Sequence, residues 1–465
     1  MHFYWQDEDP DRISIFAKSF RPVLRTKLLY YLRLLLIGVC MLWTPLCIFF
    51  GATHRRTSFL HRITLVVVDL DGGPVGSTIS DYIISHAPTK DTSPTWRRRA
   101  DFASLQQVKE WVRRDGWGAV VINRGASMRL ADAAAEYDPQ DAITVVTNSG
   151  RHQIVYASYI DSTLSSAVYA AVTAFNIMHV EQIQRGQARV PVSPSALLTA
   201  VGSSKVDVAP MTFGIAPVIT LFGFLASTLC TVAALITWKM TTFGFFLKVK
   251  HRHVCLALLT VILTWTLWFS MQAALADSAF RGPHYSGHAK RYTVGRFFSL
   301  WFTSHATLLA TALWMMSWYV LLTPEFLGLI SVITVVTSVV STLVPVELAS
   351  GFYRIFYALP FHNGAELVRH VFSGGYPRLG RNLGILLGEI ALMCVVLYVV
   401  TWVRQICVLR GWSDIPGWYY GQPYFSSPVP CQKLRRRRVS IVERAESITD
   451  SVDEVTSLKD GNLGV

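Results

Sequence analysis

Charge is scarce in this chain. Only 16% of its 465 residues are Asp, Glu, Lys or Arg, against about 25% in soluble domains. With 51% hydrophobic residues and a mean hydropathy of +0.35, the composition points to membrane segments. Cysteine is sparse too. There are seven. None lies between Gly51 and Pro210, and no C-x-x-C pair occurs, so neither a zinc site nor a disulfide framework is supported. Cys40, Cys47, Cys230, Cys255 and Cys394 fall in or beside apolar runs and read as small core residues. A Walker loop is missing. "DGGPVGST" (71–78) imitates one, but no Lys precedes its Ser and the spacing is wrong. The chain therefore cannot hydrolyse ATP by that route. No Asn-x-Ser/Thr sequon marks a side of the membrane. No metal, triad or cofactor signature is present, so no cofactor is expected and the chain reads as non-enzymatic.

Long apolar runs are what the chain does have. A helix needs about 20 mostly apolar residues to cross a bilayer core. Six runs come near this: Leu34–Phe50, Phe213–Ile236, Val254–Leu275, Phe297–Leu322, Phe326–Val346 and Leu383–Val403. The first is too long for a signal-peptide core and reads as an uncleaved anchor. The net charge of +13 does not gather in one groove-like patch, so nucleic acid is not the expected partner. Basic residues flank the apolar runs or lie in the C-terminal tail, where anionic lipid headgroups attract them. Lys and Arg before the first run, between the second and third, and after the sixth fall on one side, which should be the cytosol. Arg55, Arg56, Arg62 and the basic stretch 281–296 lie on the other side and blur the asymmetry.

Between the first two runs the character changes. "ITLVVVDLDGGPVGS" (63–77) is a β-branched run ending in a turn. "SLQQVKEWVRR" (104–114) has helical spacing, and "GWGAVVIN" (116–123) and "DAITVVTNSG" (141–150) are further strands. Residues 151–184 contain no Pro or Gly and read as one long helix, placed to prop the domain above the membrane. The expected architecture is a polytopic α-helical membrane protein of about six transmembrane helices, with an extracytoplasmic α/β domain inserted between helices 1 and 2. Residues 1–33 form a cytosolic segment and 34–50 the first membrane helix. Residues 51–210 form the α/β domain, and 211–404 a five-helix bundle with an outer amphipathic segment at 352–382. Residues 405–465 form a cytosolic tail.

This order of parts resembles the permease component of ABC-2-type exporters and the bacterial YhgE/Pip membrane proteins. More closely, it resembles the fungal nitrosoguanidine-resistance protein family. The residues that carry the likeness are "LVVVDLDGGPVG" (65–76), "GWGAVVIN" (116–123), "TNSGRHQIVYASYI" (147–160) and "PFHNGAELVRHVFSGGYPRLGRNLG" (360–384). The likeness spans Leu28 to Val403. It implies a multi-pass membrane protein acting in resistance to toxic compounds, and it carries over no catalytic residue.

The last of these stretches is short, charged and half apolar. Ala365, Val368 and Phe372 share one helical face with Val371 beside them, while Glu366, Arg369 and His370 fall on the other at i, i+3 and i+4. "GGYP" (374–377) then breaks the helix. The simplest reading is a short amphipathic helix on the outer bilayer surface. A sharper one is a re-entrant gate, allowed only if protein or water satisfies its backbone. Catalysis has the least support.

Three other ionisable groups sit at membrane depth: His305, Glu347 and Glu389. Such groups usually face a bundle interior or a cavity, where they carry protons or bind a cationic substrate. The plainer alternative puts the glutamates near helix ends, reaching the interface, and hydrogen-bonds His305 between helices. The tail (432–465) is polar and charged and expected to be disordered. Its four arginines (435–438) before Ser440 fit a basophilic kinase site. Phosphate there would oppose lipid binding by the basic cluster.

The expected function is export of, or resistance to, toxic small molecules or lipids. A proton gradient, a separate ATPase subunit or downhill flow would drive it, in the plasma membrane or another secretory-route membrane, with both termini cytosolic and homo-oligomers among the expected assemblies. The rival is a non-transporting membrane protein that organises lipids or regulates partner membrane proteins.

Overall fold

The computed structural model describes residues 21–88, 92–132, 137–186, 199–210, 225–226, 228–237, 249–280, 294–322, 326–375 and 378–409. Most of the second apolar run, the basic loop 281–293 and the tail with Ser440 lie outside the described residues.

Strands form where β-branched residues run together. β1 (Thr64–Asp69), β3 (Gly118–Ile122) and β4 (Ile143–Thr147) are the centre of a five-stranded sheet. β2 (Thr95–Arg98) and β5 (Ser203–Asp207) close its edges, in the order β2-β1-β3-β4-β5. β1 runs parallel to both β2 and β3, β3 antiparallel to β4, and β4 parallel to β5. Both faces are covered, which is why the central strands are continuously apolar. Alternate residues divide between the faces. Leu65, Val67, Val120, Ile122 and Val145 pack with Ile79 and Ile83 of α2 (Pro74–Ser85) and with the long helix that follows β4. Val66, Val68, Ala119, Val121 and Val146 pack instead on Val108 and Val112 of α3 (Leu105–Arg114). Ser104 caps α3, its Oγ accepting from Gln107 N, while Gln107 Oε1 accepts from Ala103 N. A short α4 (Ala126–Asp132) follows β3.

The expected helix over 151–184 is present as α5 (Gln153–Gln184), with one π-helical turn at Tyr156–Ile160. It does not stand off as a prop. Leu164, Val168, Ala171 and Phe175 go into the core of the sheet, so α5 is a layer of the α/β domain.

Among the described residues, four helices are long and apolar enough to cross a membrane: Tyr31–Thr53, Gln153–Gln184, His251–Ala276 and Leu379–Cys407. The second is α5. The others belong to α1 (Arg21–Thr53), α6 (His251–Phe280) and α10 (Leu379–Leu409). α1 exposes Leu35, Leu36, Leu42, Trp43 and Phe50, a surface that suits lipid. α7 (Val294–Leu321) packs against α6 and α10 through Leu313, Met316 and Tyr319, with Leu258, Ile262 and Leu397 facing them. α8 (Leu327–Leu343), of 17 residues, lies against α1 and α9 (Pro360–Ser373).

α9 crosses α7 closely at Gly364. A Cβ there would lie 2.8 Å from Thr307 Cγ2 and 3.0 Å from Thr307 Cβ. Gly364→Ala is therefore expected to lower stability by about 1–3 kcal/mol through overpacking. Thermal unfolding of the purified variant checks this, and an unchanged melting temperature would show slack at the crossing.

The α/β domain and the helices are joined by shared packing as well as by chain connections. After α8 a 3-10 turn, Val346–Leu348, places Leu348, fully buried, in the sheet's own core. Arg62 Nη1 donates to Glu347 O at 3.1 Å and to Ala349 O at 3.0 Å. Gly150, after β4, abuts Ser373 at the end of α9, and Gly375 abuts Asn148 and Ala209.

Candidate functional site

α9 carries the stretch read as an interfacial helix, and the structure corrects that reading. The helix starts at Pro360, a residue suited to the first turn. It ends at Gly374, whose φ of 67° is left-handed and whose N–H donates to His370 O at 2.8 Å. Its polar face is not on a bilayer surface. Glu366 is 9% exposed, and His362 and Asn363 are buried with it. The exposed large apolar side chains among the described residues of 352–382 are Phe352 and Ile355, on the preceding 3-10 helix Gly351–Ala358, and Leu379. The physical reason is packing. The α/β domain and α8 sit on the face of α9 that periodicity alone would give to solvent.

With the helix extended back to His362, the residues at 362, 366 and 369 form one stripe. α8 ends against this stripe with unsatisfied carbonyls that attract positive donors. His362 Nδ1 lies 3.1 Å from Ser341 O, which can only accept, so this nitrogen carries a hydrogen. Arg369 Nη2 donates to Thr342 O at 2.8 Å. The other imidazole nitrogen of His362, Nε2, lies 3.3 Å from Glu366 Oε1. Glu366 Oε2 accepts from Asn382 Nδ2 at 2.8 Å and from Arg381 Nη2 at 3.3 Å, both contributed by α10. Burial alone would push the Glu366 carboxyl up. The contact with His362, the Asn382 amide and the charge of Arg369 outweigh it and hold the carboxyl at about 2.

The α/β domain completes the cluster. Trp117, Arg151 and His152 line a small cavity together with Glu347, His362, Glu366 and Arg369. Its volume is about 10 Å³, room for about one water. Arg151 lies over the Trp117 ring, 4.1 Å from its centroid, and its Nη1 donates to Gly116 O at 3.0 Å. His152 is 5% exposed. Its Nδ1 accepts from Val155 N and caps α5. Its Nε2 is buried without a hydrogen-bond partner among the described residues. Burial, with Arg369, His362 and Arg56 nearby, pushes this imidazole well below its ordinary range.

Of the residues singled out in the sequence, Glu347, Glu366 and Arg369 therefore meet in one place. His370 is on the other side of the stripe, its Nδ1 3.3 Å from Gly375 O. His305 on α7 and Glu389 on α10 do not line this cavity. They are half-buried in the helices, and His305 Nδ1 and Glu389 Oε2 have no hydrogen-bond partner among the described residues. Sequence reasoning missed His152, Arg151, Trp117 and His362. The available signal was the i, i+4 relation of His362 to Glu366, which a helical face read only from Ala365 onward leaves out. Asp69 and Asp71 of the "DLDGG" turn serve the turn itself. Asp69 Oδ1 accepts from Asp71 N and Gly72 N, and Asp71 Oδ1 from Ser127 N. Among the described residues no group of three or more His, Cys, Asp or Glu could hold a metal ion.

The segments that build the cluster, 147–160 and 360–384, both fall inside one family match. A family described as "Protein of unknown function (DUF3533)" matches residues 34–395. The chain belongs to this family. The DUF3533 match begins within α1 and ends within α10, so it takes in the sheet, the cavity and most of the helices. No curated protein and no solved structure matches the chain.

Proposed function

We propose that this protein is a multi-pass exporter, built like an ABC-2-type permease, that removes toxic small molecules or lipids from a fungal plasma membrane or another secretory-route membrane. The observation that carries this reading is the buried charge cluster where the α/β domain seats on the helices. Buried charges are costly and persist where they are paired or needed for function. In this reading the α/β domain is extracytoplasmic and its seat on α8 and α9 is the closed outer gate. Glu389 and His305 lie deeper and offer sites for a cation or a proton. A proton gradient, a separate ATPase subunit or downhill flow drives the movement.

The test is efflux of labelled toxic compounds and fluorescent lipids from cells with and without the chain. Glu389→Gln, at matched expression, is expected to slow export by roughly tenfold or more, since contacts to a charged group are worth about 1.5–3 kcal/mol. Unchanged efflux in that variant would remove Glu389 from the path. The small volume of the cavity, about 10 Å³, favours a second reading, in which the chain organises lipids or regulates partner membrane proteins without transport. Altered lipid exposure with no efflux of any compound would establish that reading in its place.

A further inference from the structure

We propose that His152 is the proton-binding residue of the gate: a proton taken up at its Nδ1 unseats the α/β domain from α8 and α9. This rests on the reading of the seat as a gate and adds what controls it.

The argument starts from the tautomer. His152 Nδ1 accepts from Val155 N, so in the neutral ring the hydrogen is on Nε2. The only lone pair that can take a proton is therefore the one that caps α5. Protonation turns this acceptor into a donor pointed at another donor, and the cap is lost. It also creates a cation with little water around it. The groups that face it are unfavourable on balance. α9 presents His362, Arg369 and Glu366, the connection before α5 presents Arg151, the turn after α8 presents Glu347, and Arg56 approaches from the segment before β1. Glu366 is already engaged by His362, Asn382 and Arg381. The low basicity of the buried ring follows from these same contacts, with burial first and Arg369, His362 and Arg56 after it.

The sign of the pH effect follows by linkage. In an open seat the imidazole is solvated and takes up a proton near pH 6.5; in the closed seat it stays neutral. Acid therefore favours opening as pH falls below about 6.5. One proton gives at most a tenfold change per pH unit, and with a midpoint near 6.5 up to about fifteenfold between pH 6.5 and 5.0. Glu366, held at about 2, does not titrate in that window.

The experiment is hydrogen exchange of the full chain in lipid nanodiscs. Peptides over 148–160 and 341–348 are followed from pH 7.5 to 5.0, with rates corrected for intrinsic exchange chemistry. In the wild type, exchange should rise below about pH 6.5 with a slope no steeper than tenfold per unit. His152→Asn and His152→Ser both replace the capping Nδ1 with a capping oxygen and cannot titrate, so either one, if folded, should be flat with pH. A wild type without an acid-dependent rise overturns the proposal, as does an equal rise in a variant. The readout needs no transport. If exchange responds as expected but no compound is exported, the exporter reading fails and the assignment of His152 stands. If export is real but exchange is flat, the reverse holds.

Discussion

Glu366→Ala is expected to cost about 3–5 kcal/mol of stability, the range for breaking a buried ion pair by removing one partner. Glu366 sits between His362 on its own helix and Arg381 and Asn382 on α10. Without it, the half-buried Arg369 loses a neighbouring negative charge, and the Asn382 amide and the His362 ring lose an acceptor. Glu366→Gln keeps the shape and one acceptor oxygen, so a smaller loss of about 1–3 kcal/mol is expected. Denaturant unfolding of both purified variants measures this. Wild-type stability in both would show that the cluster contributes no pairing energy. Acid gives a second signature. The carboxyl is held at about 2 in the fold against an ordinary value of 4.5. Its contribution is thus complete above about pH 4.5 and is lost as pH falls toward about 2. Glu366→Gln should lack that part of the acid sensitivity.

Leu348→Ala is expected to cost about 2–5 kcal/mol, the usual range for emptying a fully buried Leu site. Here the loss falls on a joint. Leu348 belongs to the turn after α8, yet its side chain is in the core formed by Leu65, Ile143, Leu164 and their neighbours. Truncation should loosen the α/β domain from the helices before either unfolds by itself. Limited proteolysis should then cut the segment around Val346–Ser350 faster than in the wild type. Equal proteolysis and equal stability would mean that Leu348 is not the anchor its burial indicates.

The legible parts of the fold were those with strong local patterns. β1, β3 and β4 are β-branched runs because the sheet is covered on both faces. β2 and β5, "TWRR" and "SSKVD", carry polar and charged residues because they are sheet edges, where such residues discourage further pairing. They gave no alternating signal to read. α2 was hidden by the Gly-Gly-Pro turn that starts it. The extent of α5 is legible from its lack of Pro and Gly, but its place is not: the spacing fits a prop above the membrane, and packing makes the helix a layer of the sheet's core. Local spacing gives the polar face of α9 to an aqueous or headgroup surface; in the fold Glu366 is buried and Arg369 and His370 are half-buried.

By itself, the sequence determined that long apolar helices and a β-branched α/β segment must both be present, because burial of apolar surface sets their periods. It also determined that Glu347, Glu366 and Arg369 would be costly wherever they were buried. Only the tertiary structure decided that they meet, Glu366 buried and Glu347 and Arg369 half-buried, beside His152 and His362. Those partners come from three parts of the chain: the start of α5, the turn after α8, and α9. What brings them together is the fit of the α/β domain against the ends of two helices. Such a fit depends on the shapes of surfaces remote in sequence, and no local spacing of residues records it.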